Sequence, residues 1–137
     1  SQIELPISLT SIEQSAFECC SSLNKIIIPS SVKSIGKKAF KGCTALNEII
    51  INSKLISIEE STFEECIELK RINIPSSVLF LRNSAFDGCL LLTELAIPNY
   101  VKTIGTNCFN KCSSLKHITL PPLIQSIESG TFYQCSS

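Results

Sequence analysis

Eight cysteines and a single histidine are the side chains of this 137-residue chain with the most reactive potential, and their spacing decides what they can do. A structural zinc site needs about four converging ligands. Cys108 and Cys112 have only His117 to join them, which is too few. Nucleophilic catalysis needs a base beside the nucleophile and a group that orients the base. His117 stands among Lys116 and Thr119 with nothing to orient it, and no G-x-S-x-G, HExxH or glycine-rich phosphate loop occurs. The sequence therefore assigns no catalytic residue, no metal ligand and no cofactor, and the expected activity is non-enzymatic. Lys plus Arg equals Asp plus Glu at 12 each, so no net field draws the chain to nucleic acid or an anionic membrane. Any partner must be recognised by local surface. No apolar run approaches the roughly 20 residues of a membrane span, no secretory leader pattern starts at Ser1, and no N-x-S/T sequon occurs.

Most of the cysteines belong to a repeat, and the repeat is what must position everything else. Phe17, Phe40, Phe63, Phe86, Phe109 and Phe132 are spaced by 23 residues, and Cys20, Cys43, Cys66, Cys89, Cys112 and Cys135 keep the same step. Apolar columns agree: Leu23, Leu46, Leu69, Leu92 and Leu115; Ile26, Ile49, Ile72, Leu95 and Ile118; Ile12, Ile35, Ile58, Leu81, Ile104 and Ile127. Pro6, Pro29, Pro75, Pro98 and Pro121 punctuate the turns, with Asn52 the one break. The chain is thus one domain, 1–137, of six 23-residue repeats. With no methionine and no polar capping repeat, it reads as a fragment of a longer array.

Within one turn, Leu23 to Ile28 alternates in the period-2 manner of a strand, and Pro29 ends it because it has no amide to donate. Val32 to Ile35 reads as a short extended return, and Ala39-Phe40 through Cys43 as one helical or 3₁₀ turn. Leu23, Ile26, Ile28, Val32, Ile35, Ala39, Phe40 and Cys43 are expected to face inward. Stacked turns bring equivalent cysteines near the about 4.4–6.8 Å Cα window of a disulfide. The competing reading is a column of small, soft core fillers, as every turn uses it. Cys19 and Cys108 fall outside the column, Cys19 as an exposed thiol and Cys108 in the Ala column. Six turns at about 4.8 Å give a parallel sheet on one face and a length of about 29 Å.

The consensus L-x-x-I-x-I-P-x-x-V-x-x-I-x-x-x-A-F-x-x-C, fullest from Leu23 to Cys43, covers the whole chain and resembles the BspA-like leucine-rich-repeat proteins. Ordinary leucine-rich repeats lack the late A-F-x-x-C. The resemblance implies an α/β-type solenoid, a right-handed array with one parallel β-sheet face and short β, 3₁₀ or helical-turn returns. It also implies a cell-surface or secreted protein of mucosal bacteria or parasitic protists, the Ser-, Ile- and Lys-rich wording being closer to protists. Its expected partner is a protein, such as a host extracellular-matrix or cell-surface protein.

Functional information is expected where the outward columns change character. On the strand face Lys25, Glu48, Arg71 and Glu94 alternate in sign and lead to His117, a pattern that would neutralise itself and hold register, or bind. In the neighbouring column Ile27 and Ile50 are expected outward, followed by Asn73, Ala96 and Thr119. On the opposite side Phe80 interrupts a hydroxyl column and should face solvent. Ile56 and Leu79 replace Lys or Gln beside it, and Ile67, Leu90 and Leu91 replace small or polar residues. Contiguous apolar residues in two adjacent repeats suggest a contact patch, against drift in a redundant array. Three roles follow: a binding and adhesion module, a self-associating homo-oligomeric unit, or an intracellular scaffold, the last favoured by free thiols.

Overall fold

The structure is a computed structural model and describes residues 2–137. Its strands follow in order as β1 (Gln2–Ile3), β2 (Ser11–Ile12), β3 (Lys25–Ile28), β4 (Ser34–Ile35), β5 (Glu48–Ile51), β6 (Ser57–Ile58), β7 (Arg71–Ile72), β8 (Phe80–Leu81), β9 (Glu94–Ala96), β10 (Thr103–Ile104) and β11 (His117–Thr119). The odd-numbered strands form one parallel sheet in the order β1-β3-β5-β7-β9-β11. Each pair is offset by the 23-residue repeat, as in Lys25↔Glu48 and Ile26↔Ile49. The even-numbered strands make the return side, as β2-β4 and as β6-β8-β10.

The alternation read from sequence is observed: Ile26 and Ile28 are buried while Ile27 points out, and Ile49, Ile51 and Ile50 repeat the pattern. All eight residues of the second turn expected inward, Leu23 through Cys43, lie in one continuous core. The phenylalanine column runs along its axis. Successive rings from Phe17 to Phe132 lie 5.2–5.7 Å apart with nearly parallel planes. A centroid spacing wider than the strand spacing of about 4.8 Å means the rings are offset, the favoured geometry for like quadrupoles.

The expected helical or 3₁₀ return is corrected: no helix occurs among the described residues. Each turn instead donates three alternate amides to the next one. Lys38, Phe40 and Gly42 donate to the carbonyls of Glu60, Thr62 and Glu64 at 2.8–3.0 Å, and Ser61, Phe63 and Glu65 do the same to Asn83, Ala85 and Asp87. A helix would point these amides back along its own axis. They turn outward because the first and third donors are left-handed, at φ 57° for Lys38 and 69° for Gly42. Glycine fills only three such positions, Gly42, Gly88 and Gly130; Ser, Lys, Glu, Asn, Cys and Gln fill the rest.

The cysteine column is more than filler. Each thiol of the column after Cys20 donates to the carbonyl of the preceding turn's phenylalanine, from Cys43 to Phe17 at 3.0 Å through Cys135 to Phe109 at 3.1 Å. That carbonyl also accepts a backbone amide, as Phe40 does from Cys43. All eight cysteines are free thiols. Burial pushes the thiol of Cys43 up to about 11 and that of Cys112 up to about 12, and drives Cys66 and Cys89 higher. Cys19 is exposed and Cys108 buried, as expected.

Asn52 disturbs the fold more than the sequence suggests. Elsewhere the corner closes with a turn bond, as from Val32 to the Pro29 carbonyl at 3.1 Å and Val78 to Pro75 at 3.0 Å. Among the described residues Leu55 makes no such bond. Asn52 has the amide that proline lacks and gives it to Ile28 at 3.0 Å, so the strand ladder runs past the corner. Ser53 is then buried with an unpartnered hydroxyl, Ile56 is left 56% exposed, and β6 does not pair with β4.

Three measurements follow. Phe63→Ala should lower stability by about 3–5 kcal/mol in a denaturant melt, because the ring is wholly enclosed. Lys38→Gly should leave the melting temperature unchanged or raised, whereas Lys38→Val should cost about 1–3 kcal/mol by forcing a branched residue left-handed. Thiol titration of the native protein should label Cys19 and Cys20 at once and Cys66, Cys89 and Cys108 only on unfolding; early labelling of the buried set would contradict the thiol ladder.

Candidate functional site

The outward face of the six-stranded sheet carries two columns per turn. Repeats are numbered here by their leading leucine, with repeat 2 at Leu23, repeat 4 at Leu69, repeat 5 at Leu92 and repeat 6 at Leu115. Lys25 is half-buried, and Ile27, Glu48, Ile50, Arg71, Asn73, Glu94 and His117 are exposed on this face. The columns do not behave uniformly. Lys25 Nζ meets Glu48 at 2.9 Å. Arg71 and Glu94 are register partners, as are Glu94 and His117, yet among the described residues neither pair closes an ion pair. The self-neutralising ladder expected from the sign alternation therefore stops after its first rung.

Where the charges are free, the surface is concave. A groove of about 530 Å³ is lined by Arg71, Glu94 and His117, with Ala96 and Ile97 beneath and Asn99 at its edge. Ala96 is the small member of a column that otherwise holds Glu4, Ile27, Ile50, Asn73 and Thr119, so it lowers the floor. A second groove of about 290 Å³ shares Ala96, Ile97 and Asn99 and adds Asn73 and Tyr100. Tyr100 is 65% exposed. The sequence reading passed over Asn99 and Tyr100, although they replace the Ser-Ser that follows Pro29 and Pro75, and that substitution was the available signal. Toward the other end, Ile27, Pro29, Ile3, Leu5 and Ile7 line an apolar groove of about 580 Å³.

The apolar patch expected on the opposite side divides. Ile56, Leu79 and Phe80 occupy the corner where the sheet strand passes into the return, while Ile67, Leu90 and Leu91 occupy the corner where the return rejoins the sheet. Phe80 lies on the outward side of β8, as expected, with Leu81 inward, but it is only partly exposed, and the Arg82 guanidinium lies 4.7 Å over its ring. Leu79 is likewise half-buried, and Leu90 and Leu91 are exposed. Beside Arg82 lies a polar cleft of about 340 Å³ formed with Lys37, Glu59, Glu60 and Asn83. Lys37 meets Glu60 and Lys41 meets Glu64, each at 2.9 Å. The hydrogen bond and charge of Lys37 hold the Glu60 carboxyl below its ordinary range. This contribution is present at neutral pH and is lost as acid protonates Glu60.

No group of three or more His, Cys, Asp or Glu among the described residues is placed to hold a metal ion. Among the described residues no helix is long and apolar enough to cross a membrane. The geometry offers grooves, unpaired charges and an exposed tyrosine on a rigid sheet, which are the means of non-covalent recognition.

The chain matches the BspA type leucine rich repeat region in six copies, over residues 1–93 and 81–137. No curated protein matches it. Among solved structures it is 32% identical to a leucine rich repeat protein of T. pallidum, with a TM-score of 0.93 over 98% of this chain and 65% of that one. A leucine-rich repeat protein of Bacteroides ovatus is 35% identical, with a TM-score of 0.85 over 93% of this chain and 33% of that one. A leucine rich cell surface protein of Faecalibacterium prausnitzii is 33% identical, with a TM-score of 0.83 over 99% and 35%. The chain therefore spans about two thirds of the first of these proteins and about a third of the others. Six matched repeats across its whole length, on a parallel solenoid of the same form, make this chain a member of the BspA-type leucine-rich-repeat family.

Proposed function

We propose that this chain is the protein-binding segment of a surface-associated adhesion protein, and that it engages its partner through the sheet face of repeats 4 to 6. Leucine-rich-repeat proteins of this family generally serve as protein-interaction modules. A surface location is supported by the F. prausnitzii relative, which is described as a cell surface protein. The observation that carries the choice of face is the joined pair of grooves around Ala96, rimmed by unpaired Arg71 and Glu94 and by Tyr100. Arginine and tyrosine are the residue types that most often dominate interface energies. An exposed tyrosine also brings large contact area at little conformational cost.

The Ile27 and Ile50 end of the face is flatter in charge, because Lys25 and Glu48 neutralise each other there. It serves as a flank to the contact rather than its centre. Host extracellular-matrix and cell-surface proteins are the partner class that follows from the adhesion reading.

Binding of the chain to a panel of immobilised extracellular-matrix proteins and to epithelial cells tests this directly. A specific match should weaken by about tenfold or more with Tyr100→Ala, which is more than 1.4 kcal/mol, with an unchanged circular dichroism spectrum. Undiminished binding by Tyr100→Ala and by Ala96→Arg together would move the contact off this face.

A further inference from the structure

The protein is electrically neutral as a whole, with 12 cationic and 12 anionic side chains, but its halves are not: repeats 4 to 6, residues 69–137, hold six cations against three anions. At the strand-entry side of repeats 4 to 6 stand Lys70, Arg71 and Lys116, all exposed, with Lys70 and Lys116 each one residue before a groove-lining residue, Arg71 and His117; the carboxylates nearby are Glu94 on the middle rung and the exposed Glu68 just before Leu69. Among the described residues none of the three cations enters an ion pair. The three ion pairs that do form, Lys25–Glu48, Lys37–Glu60 and Lys41–Glu64, all join repeat 2 to repeat 3. Neutralisation is thus concentrated at one end of the array, and uncompensated positive charge at the other.

We propose that the groove over repeats 4 to 6 takes an extended acidic polypeptide, whose carboxylates pair with Lys70 and Arg71 on one rung and with Lys116 two rungs away. This inference rests on the face assigned above and adds the chemistry of its occupant. Two rungs at about 4.8 Å place the cations about 10 Å apart, which is about three residues of chain in the extended polyproline II form, where residues three apart share a face. Side chains between the two carboxylates meet the apolar floor of Ala96 and Ile97 and the polar edge of Asn99.

The middle rung discriminates among anionic partners. Glu94 projects between the two cationic rungs, so a polymer with an anionic group at every unit sets one of them against a carboxylate. Like charge at that position is repulsive, and removing it is the specificity element to look for. The apolar floor argues the same way, since neither a sulfated polysaccharide nor a nucleic acid backbone has apolar side chains to place there. A polypeptide with neutral residues between its carboxylates satisfies both constraints.

Fluorescence anisotropy with three labelled probes tests the assignment on the whole chain: a soluble synthetic peptide of Glu-Thr-Val repeats, a heparin oligosaccharide and a single-stranded oligonucleotide. The peptide should bind more tightly than either polyanion, and its affinity should fall as salt is raised. Arg71→Glu with Lys116→Glu should weaken the peptide at least tenfold, and Glu94→Lys should bring the two polyanions up to the peptide's level. Ala96→Arg, at an exposed position, should block the groove while preserving the circular dichroism spectrum. If Ala96→Arg abolishes peptide binding and the charge reversal does not, the acidic assignment falls and the face stands. Indifference to both variants, or no binding of the peptide at all, overturns the inference. Tighter binding of heparin or oligonucleotide by the unmodified chain overturns the polypeptide assignment.

Discussion

Hydrogen bonding between turns is the constraint on which this molecule depends. A turn of 23 residues with strands of two to four residues has little backbone bonding of its own, so its amides and carbonyls must be met one rung away. Three ladders meet them: the sheet, the return strands, and the alternate amides around each phenylalanine. All three require the same rise and the same register. A repeat of different length would misalign them together, which explains why the period is kept without insertion from Phe17 to Phe132.

The same constraint explains why the core was legible and parts of the framework were not. Ring stacking, inward aliphatic columns and the Pro punctuation are properties of side chains that recur in register, and recurrence is visible in a sequence. The left-handed pair in each turn is a property of the backbone. It would show as two glycine columns, but only Gly42, Gly88 and Gly130 mark it, because interturn amide bonds hold Lys38, Glu65 and Asn107 in the same conformation. A run such as Ala39 to Cys43 then has the composition of a helical turn without being one. The cysteine column was recognised and its chemistry was not, since the acceptor of each thiol is a backbone carbonyl 26 residues earlier.

For the candidate face, the sequence placed the outward residues correctly and misjudged their pairing. Sign alternation along Lys25, Glu48, Arg71 and Glu94 predicts a closed ladder, but closure depends on rotamers, and only Lys25 and Glu48 reach each other. Phe80 keeps the outward place that its column predicts, but its cover was not legible for a related reason: Arg82 sits two residues away in sequence, yet its stacking is a choice of side-chain direction that no periodicity encodes. Concavity was equally hidden. It arises from one alanine in a column of larger residues, together with a corner whose Asn99 and Tyr100 rise beside it.

The corner at Asn52 has a consequence for how the array holds together. In a one-dimensional stack, stability is the sum of what each unit contributes and what each interface adds. Between the second and third units the return strands add no ladder pairing, because β4 pairs only with β2 and β6 only with β8, while all three ion pairs of the described residues cross it. Backbone bonds respond little to dissolved electrolyte, whereas exposed charges are screened within about 10 Å at moderate ionic strength. One interface in the stack is therefore tuned by the surrounding medium and its neighbours are not, so the solenoid is electrostatically heterogeneous along its length although its architecture repeats.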